Sequence, residues 1–249
     1  MAKPLVLSIF PGIDLFGMAF EMEGFCLVRG PDIIFGQDIR NFHPPSGKFE
    51  GVIGGPPCQF ASRLRYVNPR CGQKHGNLIP EFERVILEVE PQWFVMECVP
   101  EAPTPEVAGY QTYHLLLNNR WFGAEQHRKR HFTFGTTAAG KSLEVDVVLF
   151  ENSQWEPAVT ASGGMRAVPV ALVRDGKGGH RTKTALCNYG YATKRAFGDM
   201  CRLQGLAADF LSDAPFTVKG KSQVVGNGVP IPMGRAVAQA VKKAMGYEF

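Results

Sequence analysis

The chain has 249 residues, 45% of them hydrophobic and 20% charged, which supplies material for one or two folded domains and is unlike a disordered composition. Its 28 Gly and 18 Pro make up roughly 18% of the chain against a usual ~12%, favouring tight turns and backbone-lined sites over a helical bundle. The net charge of +4 permits an anionic partner such as nucleic acid without demanding one, and no run of ~18 apolar residues offers a membrane span.

Residues 4–10 form a short continuous apolar run, as a strand buried on both faces requires. Phe10-Pro11-Gly12 is a sharp turn. Apolar residues then recur at three- and four-residue steps from Asp14, a plausible N-cap, to a stop at Gly24. Strands are expected at 25–28, 32–36 and 51–54, an amphipathic helix at 78–89, and a buried strand at 93–96 ending at Glu97. A helix is expected at 105–118, from the stripe of Val107, Tyr110, His114, Leu115 and Leu117, and a strand at 131–135. Residues 139–222 have no clean period and read as a small irregular domain or an insert. An apolar-striped helix is expected at 233–245. Strands alternating with helices favour an α/β protein with a parallel doubly wound sheet, whose ligands sit at the carboxyl ends of the strands.

The six cysteines show no Cys-x-x-Cys or Cys/His spacing, so no metal site is expected and free thiols in a reducing compartment are. The start of the chain is too short in apolar length for a signal peptide, and a cytoplasmic setting is expected.

Five constellations carry chemistry. The first turn, Phe10-Pro11-Gly12-Ile13-Asp14, is either a cofactor turn or an ordinary strand–helix turn. In Gly54-Gly55-Pro56-Pro57-Cys58-Gln59, two prolines stiffen a segment that presents Cys58 beyond a strand. The thiol is a nucleophile candidate or a small buried apolar group, with Arg63 and Arg65 as candidate activating cations. Glu97, after a buried strand, is placed for acid–base work or for capping. Gln126, Arg128 and Arg130 alternate onto one strand face and reach phosphate or a base, or form a solvated basic face. Gly226-Asn227-Gly228-Val229-Pro230 is either a helix start that attracts a carboxylate or a plain Asn-Gly turn.

Taken in order, Phe10/Gly12, Pro57-Cys58-Gln59, Glu97/Val99, Gln126/Arg128/Arg130, Arg202-Leu203-Gln204-Gly205 and Gly226-Asn227/Val229 resemble the motif series of the DNA cytosine-5 methyltransferase family. The compact length is similar to its phage and prophage forms. The resemblance implies a Rossmann-like class I S-adenosylmethionine-dependent methyltransferase sheet, with a catalytic domain at 1–138 plus 225–249 and a small target-recognition region at 139–224. It implies S-adenosylmethionine as donor, double-stranded DNA as substrate, restriction-modification or phage biology, and a monomer. Cys58 is then the nucleophile toward C6 of a flipped-out cytosine. Glu97, carrying a proton, serves N3; Arg130 holds O2; Arg128 meets a phosphate. On the cofactor side the family pattern assigns Phe10 to the adenine, Gly12 to close backbone approach and Asp38 to the adenine amino group. It also assigns Asn227 to the carboxylate, with Ile13, Asp32, Pro57 and Val229 completing the set. Pro57, Gln59, Ser62, Gln126, Arg202 and Gln204 fall on the DNA side. The alternatives are a tRNA cytosine-5 methyltransferase and a catalytically silent DNA-binding relative.

The chain departs from the family pattern at named places. Ser8 stands where the first turn usually begins with Asp, and Asp14 stands where a glycine is usual. The acid that grips the ribose hydroxyls after the second strand has no clear counterpart, Asp32 being the nearest, and the helix after that strand is missing. Glu-Asn-Val has become Glu97-Cys98-Val99, which replaces a loop-supporting amide by a thiol. The recognition segment of about 80 residues is short, implying short or relaxed sequence specificity.

Overall fold

Alternate residues of the first strand, β1 (Leu5–Ile9), enter different cores. Val6 joins Phe16, Phe20 and Trp93, whereas Leu7 and Ile9 join Phe82, Val85 and Phe94. Such two-sided burial is what an unbroken apolar run allows. The computed structural model describes residues 3–58, 60–61, 76–148, 156–161, 165–169 and 189–249, with 165–169 and 189–194 described by backbone alone. After β1 come α1 (Leu15–Met22), β2 (Cys26–Arg29), β3 (Gly51–Gly54), α2 (Ile79–Val89), β4 (Trp93–Cys98) and β5 (Gln111–Asn118). They are followed by β6 (Gln126–His127), β7 (Lys129–Thr136), β8 (Glu156–Pro157), β9 (Met165–Pro169) and β10 (Tyr189–Lys194). The chain closes with α3 (Phe197–Leu203), α4 (Val218–Asn227) and α5 (Ile231–Met245).

Six strands form one sheet in the order β2-β1-β3-β4-β7-β5. The strands β1 to β4 run parallel to one another, and β7 runs antiparallel to both β4 and β5. Helices α1 and α5 cover one face. Gly234 lets them close: an added Cβ there would stand 2.7 Å from Ala19 Cβ. Helix α2 covers the other face with Ile79, Phe82, Val85, Ile86 and Val89. The architecture is Rossmann-like α/β with a mixed sheet. Two short pairs stand apart: β6 with β8, parallel, and β9 with β10, antiparallel. Among the described residues no helix is long and apolar enough to cross a membrane.

Three expectations need correction. Part of the stretch read as a helix at 105–118 is β5, which pairs with β7 from Gln111↔Thr136 to Asn118↔Lys129. Its Tyr113, Leu115 and Leu117 also alternate at period two, and tertiary pairing decides between the two periods. The expected strand at 32–36 is a 3₁₀ turn, Ile33–Phe35, because the Asp32 carboxylate accepts from Ile34 N at 2.9 Å and closes a local turn. Gly226-Asn227 ends α4 and does not begin a helix; α5 starts after Pro230, which presets its φ. Between β2 and β3 there are two 3₁₀ turns, Ile33–Phe35 and Ile39–Asn41, and no α-helix. Within 139–224, α3 and the start of α4 add regular structure. Met200, Cys201 and Val225 pack with Val159, and Ile13 of the first turn lies against them.

Candidate active site

The carboxyl ends of β3 and β4 lie side by side, with Gly54 registered to Met96. From β3 the chain continues as Gly55-Pro56-Pro57-Cys58, and β4 ends in Glu97-Cys98. Two consecutive prolines remove two donors, so the segment cannot extend the ladder. Glu97 lies against it: a Cβ on Gly55 would stand 3.1 Å from Glu97 Oε2. Strand register supplies the second partner. Phe132 of β7 is opposite Glu97, so Arg130, two residues back, is its diagonal neighbour on the same face. Arg130 Nε stands 2.7 Å from Glu97 Oε1. Cys98 takes the opposite face, where it is buried and its Sγ lies 3.9 Å from the Pro56 carbonyl oxygen. Cys58 packs half-buried against that same cluster.

These contacts set protonation. Burial pushes the Glu97 carboxyl up, with Arg130 and Arg128 pulling against it. The Cys98 thiol donates to the Cys58 sulfur and draws its pKa down. Burial and the Glu97 charge oppose this, while the Val99 amide and Arg130 assist. Cys98 is itself pushed up, first by its bond to Cys58. A thiol disposed to ionise beside a carboxyl disposed to keep its proton can perform nucleophilic addition with acid assistance.

Gln126, Arg128 and Arg130 alternate along one strand direction, but only Arg130 reaches Glu97. Arg128 does not face a phosphate: it is 2% exposed, Nη1 donates to Val159 O at 2.5 Å, and Nη2 donates to Gly226 O and Gly228 O at 3.0 Å each. Gln126 and Gln204 are likewise not on a DNA-facing surface. Gln126 Nε2 donates to Leu203 O (2.6 Å) and Gln204 Oε1 (3.0 Å), and its Oε1 accepts from Val159 N (3.1 Å). Gln204 Nε2 donates to Val225 O (2.7 Å) and Gly228 O (3.1 Å). The physical reason is the α4–α5 junction. Carbonyls at the end of a helix have no partner in that helix, and buried ones require donors. Arg202 is exposed and pairs with Asp199.

A cavity of about 320 Å³ opens at the carboxyl ends of β1 and β2, lined by the turn 11–14 and by Arg29, Gly30, Phe35 and Gln37. The turn is unusual in its backbone. Phe10, Gly12 and Asp14 all have positive φ, at 53°, 58° and 58°, and a non-glycine residue there costs about 1 kcal/mol or more. At Asp14 that cost is offset by partners. Oδ1 accepts from Ser8 Oγ (2.7 Å) and Gly17 N (3.0 Å), and Oδ2 lies 2.9 Å from Arg29 Nε. Such an N-cap is worth ~1 kcal/mol by itself. Burial raises the Asp14 pKa, while Ser8 and Arg29 act to lower it. Gly12 N donates to Asp32 Oδ2 at 2.8 Å, and a Cβ on Gly12 would meet nothing within 4 Å, so the backbone borders open space.

The remaining expected residues are dispersed. Ile13 lines the cavity. Phe10 packs on the α2 side with Cys58. Asp38 caps the turn Ile39–Asn41 and pairs with Arg40 at 3.0 Å, leaving Gln37 on the cavity wall. Val229 is in the core, and Asn227 is exposed at the end of α4. Pro57 is half-buried beside Cys58. Gln59, Ser62, Arg63 and Arg65 lie outside the described residues. Sequence reasoning missed Arg29, and it noted Ser8 and Asp14 separately without pairing them. Their positions at the two ends of a strand–turn–helix were the available signal. Among the described residues no group of His, Cys, Asp and Glu is arranged to hold a metal ion.

Comparison with known proteins agrees with this arrangement. Residues 32–162 match the model of the C-5 cytosine-specific DNA methylase family. The chain is 30% identical over 163 residues to the type II methyltransferase M.FnuDI of Fusobacterium nucleatum, covering 52% of this chain and 46% of that protein. It is 26% identical over 190 residues to the orphan methyltransferase M.Rho11sI of Bacillus phage rho11s, covering 62% of this chain and 35% of that one. The chain thus spans less than half the length of either relative. Two solved structures share the fold. The Entamoeba histolytica methyltransferase EhMeth does so with a TM-score of 0.66 at 12% identity, covering 98% of this chain and 99% of that one. The S. pombe Dnmt2 methyltransferase does so with 0.63 at 12% identity, covering 97% and 99%. The match to the family model spans more than half of the chain, and the chain belongs to the C-5 cytosine-specific DNA methylase family.

Proposed function

We propose that this protein transfers a methyl group from S-adenosylmethionine to C5 of cytosine in double-stranded DNA, in the cytoplasm of a bacterial or phage-infected cell. The observation that carries the reading is the corner at which Glu97, paired with Arg130, lies against the loop that bears Cys58. The Cys58 thiolate adds to C6 of a base taken out of the stack, and the electron pair of the broken C5–C6 double bond moves toward C5 and N3. The protonated Glu97 carboxyl donates to N3 and takes up that developing charge. Arg130 holds the Glu97 carboxyl in place and offers its remaining donors to O2. Once C5 is methylated, the C5 proton passes to solvent, its electron pair restores the C5–C6 double bond and expels the Cys58 sulfur as thiolate, and N3 returns its proton to Glu97.

The cavity beside the first turn fits the donor. Its volume is in the usual range for a small-molecule site, it sits at the carboxyl ends of β1 and β2 where doubly wound folds bind nucleotides, and Gly12 borders it with backbone alone. Gly12, Ile13 and Phe10 would hold the adenosine part, with Pro57 between donor and base. When bound, S-adenosylmethionine supplies an electrophilic methyl on a sulfonium.

The test is trapping on duplex DNA containing 5-fluorocytosine with methyl-labelled donor. The expected result is a denaturation-resistant protein–DNA complex that carries label and disappears in Cys58→Ser. Salt-sensitive, non-covalent retention alone would reduce the protein to a DNA-binding relative, and label on fluorocytosine tRNA instead of DNA would change the substrate class.

A further inference from the structure

Resting on the S-adenosylmethionine reading above, we infer that Arg29 is the donor-specificity residue of the site and that it reads the ribose hydroxyls as hydrogen-bond acceptors through a guanidinium, where a carboxylate would read them as donors.

The argument begins at the end of β2, the place from which doubly wound folds recognise a ribose. Here that strand ends in Arg29, followed by Gly30, and both line the cavity. The nearest acid, Asp32, serves the protein's own backbone: one oxygen accepts from Gly12 N at 2.8 Å and the other from Ile34 N at 2.9 Å. Arg29 is held at two points. Its Nε lies 2.9 Å from Asp14 Oδ2, and its Nη2 donates to Glu21 Oε2 at 2.8 Å. Both anchors lie toward the Nε edge, which leaves the Nη1 end of the fork as the donor face. A guanidinium fixed along one edge presents the other with little further loss of freedom on binding.

Of the two acids that fix Arg29, Asp14 departs from the pattern of the family that the sequence resembles, and so does its partner Ser8. Ser8 occupies the β1 position at which the family pattern has Asp, and Asp14 occupies a left-handed position at which it has Gly. In space the two are joined, Ser8 Oγ donating to Asp14 Oδ1 at 2.7 Å. The Asp14 carboxylate, placed on the turn, is in reach of the end of β2. Gly17 completes the exchange, since a Cβ there would collide with the Asp14 carboxylate. Ser8 and Asp14 are therefore positioning residues that act on the ligand through Arg29.

The experiment is calorimetric titration of S-adenosylhomocysteine and its 2′,3′-dideoxyribose analogue into the full chain, with thermal melting recorded for every variant. Wild type is expected to prefer the hydroxylated ligand by about tenfold or more, the scale of a hydrogen bond to a charged group. Arg29→Ala is expected to bind both ligands alike, at the level of wild type with the dideoxy analogue. Arg29→Lys keeps a cation beside Asp14 without the planar fork and is expected to lose most of the preference. It carries the test should the alanine variant fail to fold. Ser8→Asp combined with Asp14→Gly moves the acid back along the turn and is expected to fold with a reduced preference. Full preference in Arg29→Ala or Arg29→Lys overturns the assignment, as does a wild type that binds both ligands equally. A wild type that binds neither ligand overturns the cofactor reading itself, and this inference with it.

Discussion

Arg130 Nε and Glu97 Oε1, 2.7 Å apart, join two antiparallel strands beside the loop that bears Cys58. The pair is unequal: the Arg130 side chain is 17% exposed and that of Glu97 only 9%, so the acid is the more desolvated member. Burial raises its pKa first and Arg130 pulls back second. Glu97 is thus oriented by a cation and still biased toward its neutral form, the form that the proposed donation to N3 requires.

Glu97→Gln tests both aspects. Glutamine keeps the shape but neither carries nor exchanges the carboxyl proton, so the single-turnover rate is expected to fall by about 10²–10⁴, with S-adenosylhomocysteine affinity unchanged. An equal loss in rate and affinity contradicts the role. Stability moves the other way. An acid whose folded pKa lies above its unfolded value contributes stability below the unfolded pKa and loses it as pH rises through the folded one. The melting temperature of Glu97→Gln relative to wild type is therefore expected to rise as pH rises above the ordinary glutamate range. A difference that stays flat removes the buried-acid argument.

Cys98 offers one proton to two acceptors, the Pro56 carbonyl at 3.9 Å and the Cys58 sulfur. Once Cys58 ionises, the charged acceptor is the stronger of the two. Cys98→Ala is expected to shift the pH profile of Cys58 alkylation by iodoacetamide to higher pH and to slow alkylation at neutral pH. Cys98→Asn restores a donor and is expected to keep the wild-type profile. Superimposable profiles for wild type and Cys98→Ala would show that the thiol only fills space.

The parallel half of the sheet was legible because its strands are short apolar runs bounded by Gly and Pro, with helices between them. The antiparallel half was not: Tyr113, Leu115 and Leu117 satisfy two periods at once, and only β7 chooses between them. Cys58, Glu97 and Arg130 were legible as motif members, and the structure brings them to one corner. The same motif misled at Gln126, Arg128 and Gln204. Polar residues in an ordered motif suggest ligand contact, yet here they satisfy carbonyls left at the ends of α3 and α4, two helices that the sequence pattern did not reveal. The Ser8–Asp14 exchange was visible as two oddities, but their hydrogen bond needs the turn's left-handed backbone to form.

If Arg128 is internal mortar, its removal acts on stability. Arg128→Met leaves the Val159 and Gly226 carbonyls without their side-chain donor, at about 1–3 kcal/mol each, while Gly228 O keeps Gln204 Nε2, so urea unfolding is expected to show a loss of about 2 kcal/mol or more. Gly226→Ala is expected to destabilise by about 1–3 kcal/mol, because the new methyl collides with the Thr160 carbonyl. Arg202→Ala, by contrast, is expected to change stability by less than ~0.5 kcal/mol and to lower the salt slope of DNA retention by about one. A stable Arg128→Met with weakened DNA retention would return Arg128 to the phosphate.

Phe10 holds a left-handed φ of 53° that glycine would adopt freely, so the aromatic ring is retained against a backbone cost. Two substitutions separate ring from backbone. Phe10→Ala removes the ring and keeps the strained backbone, whereas Phe10→Gly removes the ring and relieves the strain, so the glycine variant is expected to be the more stable of the two by about 1 kcal/mol. Both are expected to lose S-adenosylhomocysteine affinity by about tenfold or more, the worth of one aromatic stack on a base, while Cys58 alkylation and DNA retention stay as in wild type. Should affinity survive in both variants, the ring belongs to the α2-side packing and the adenine is held elsewhere in the cavity, with Phe35 on its wall the next residue to change.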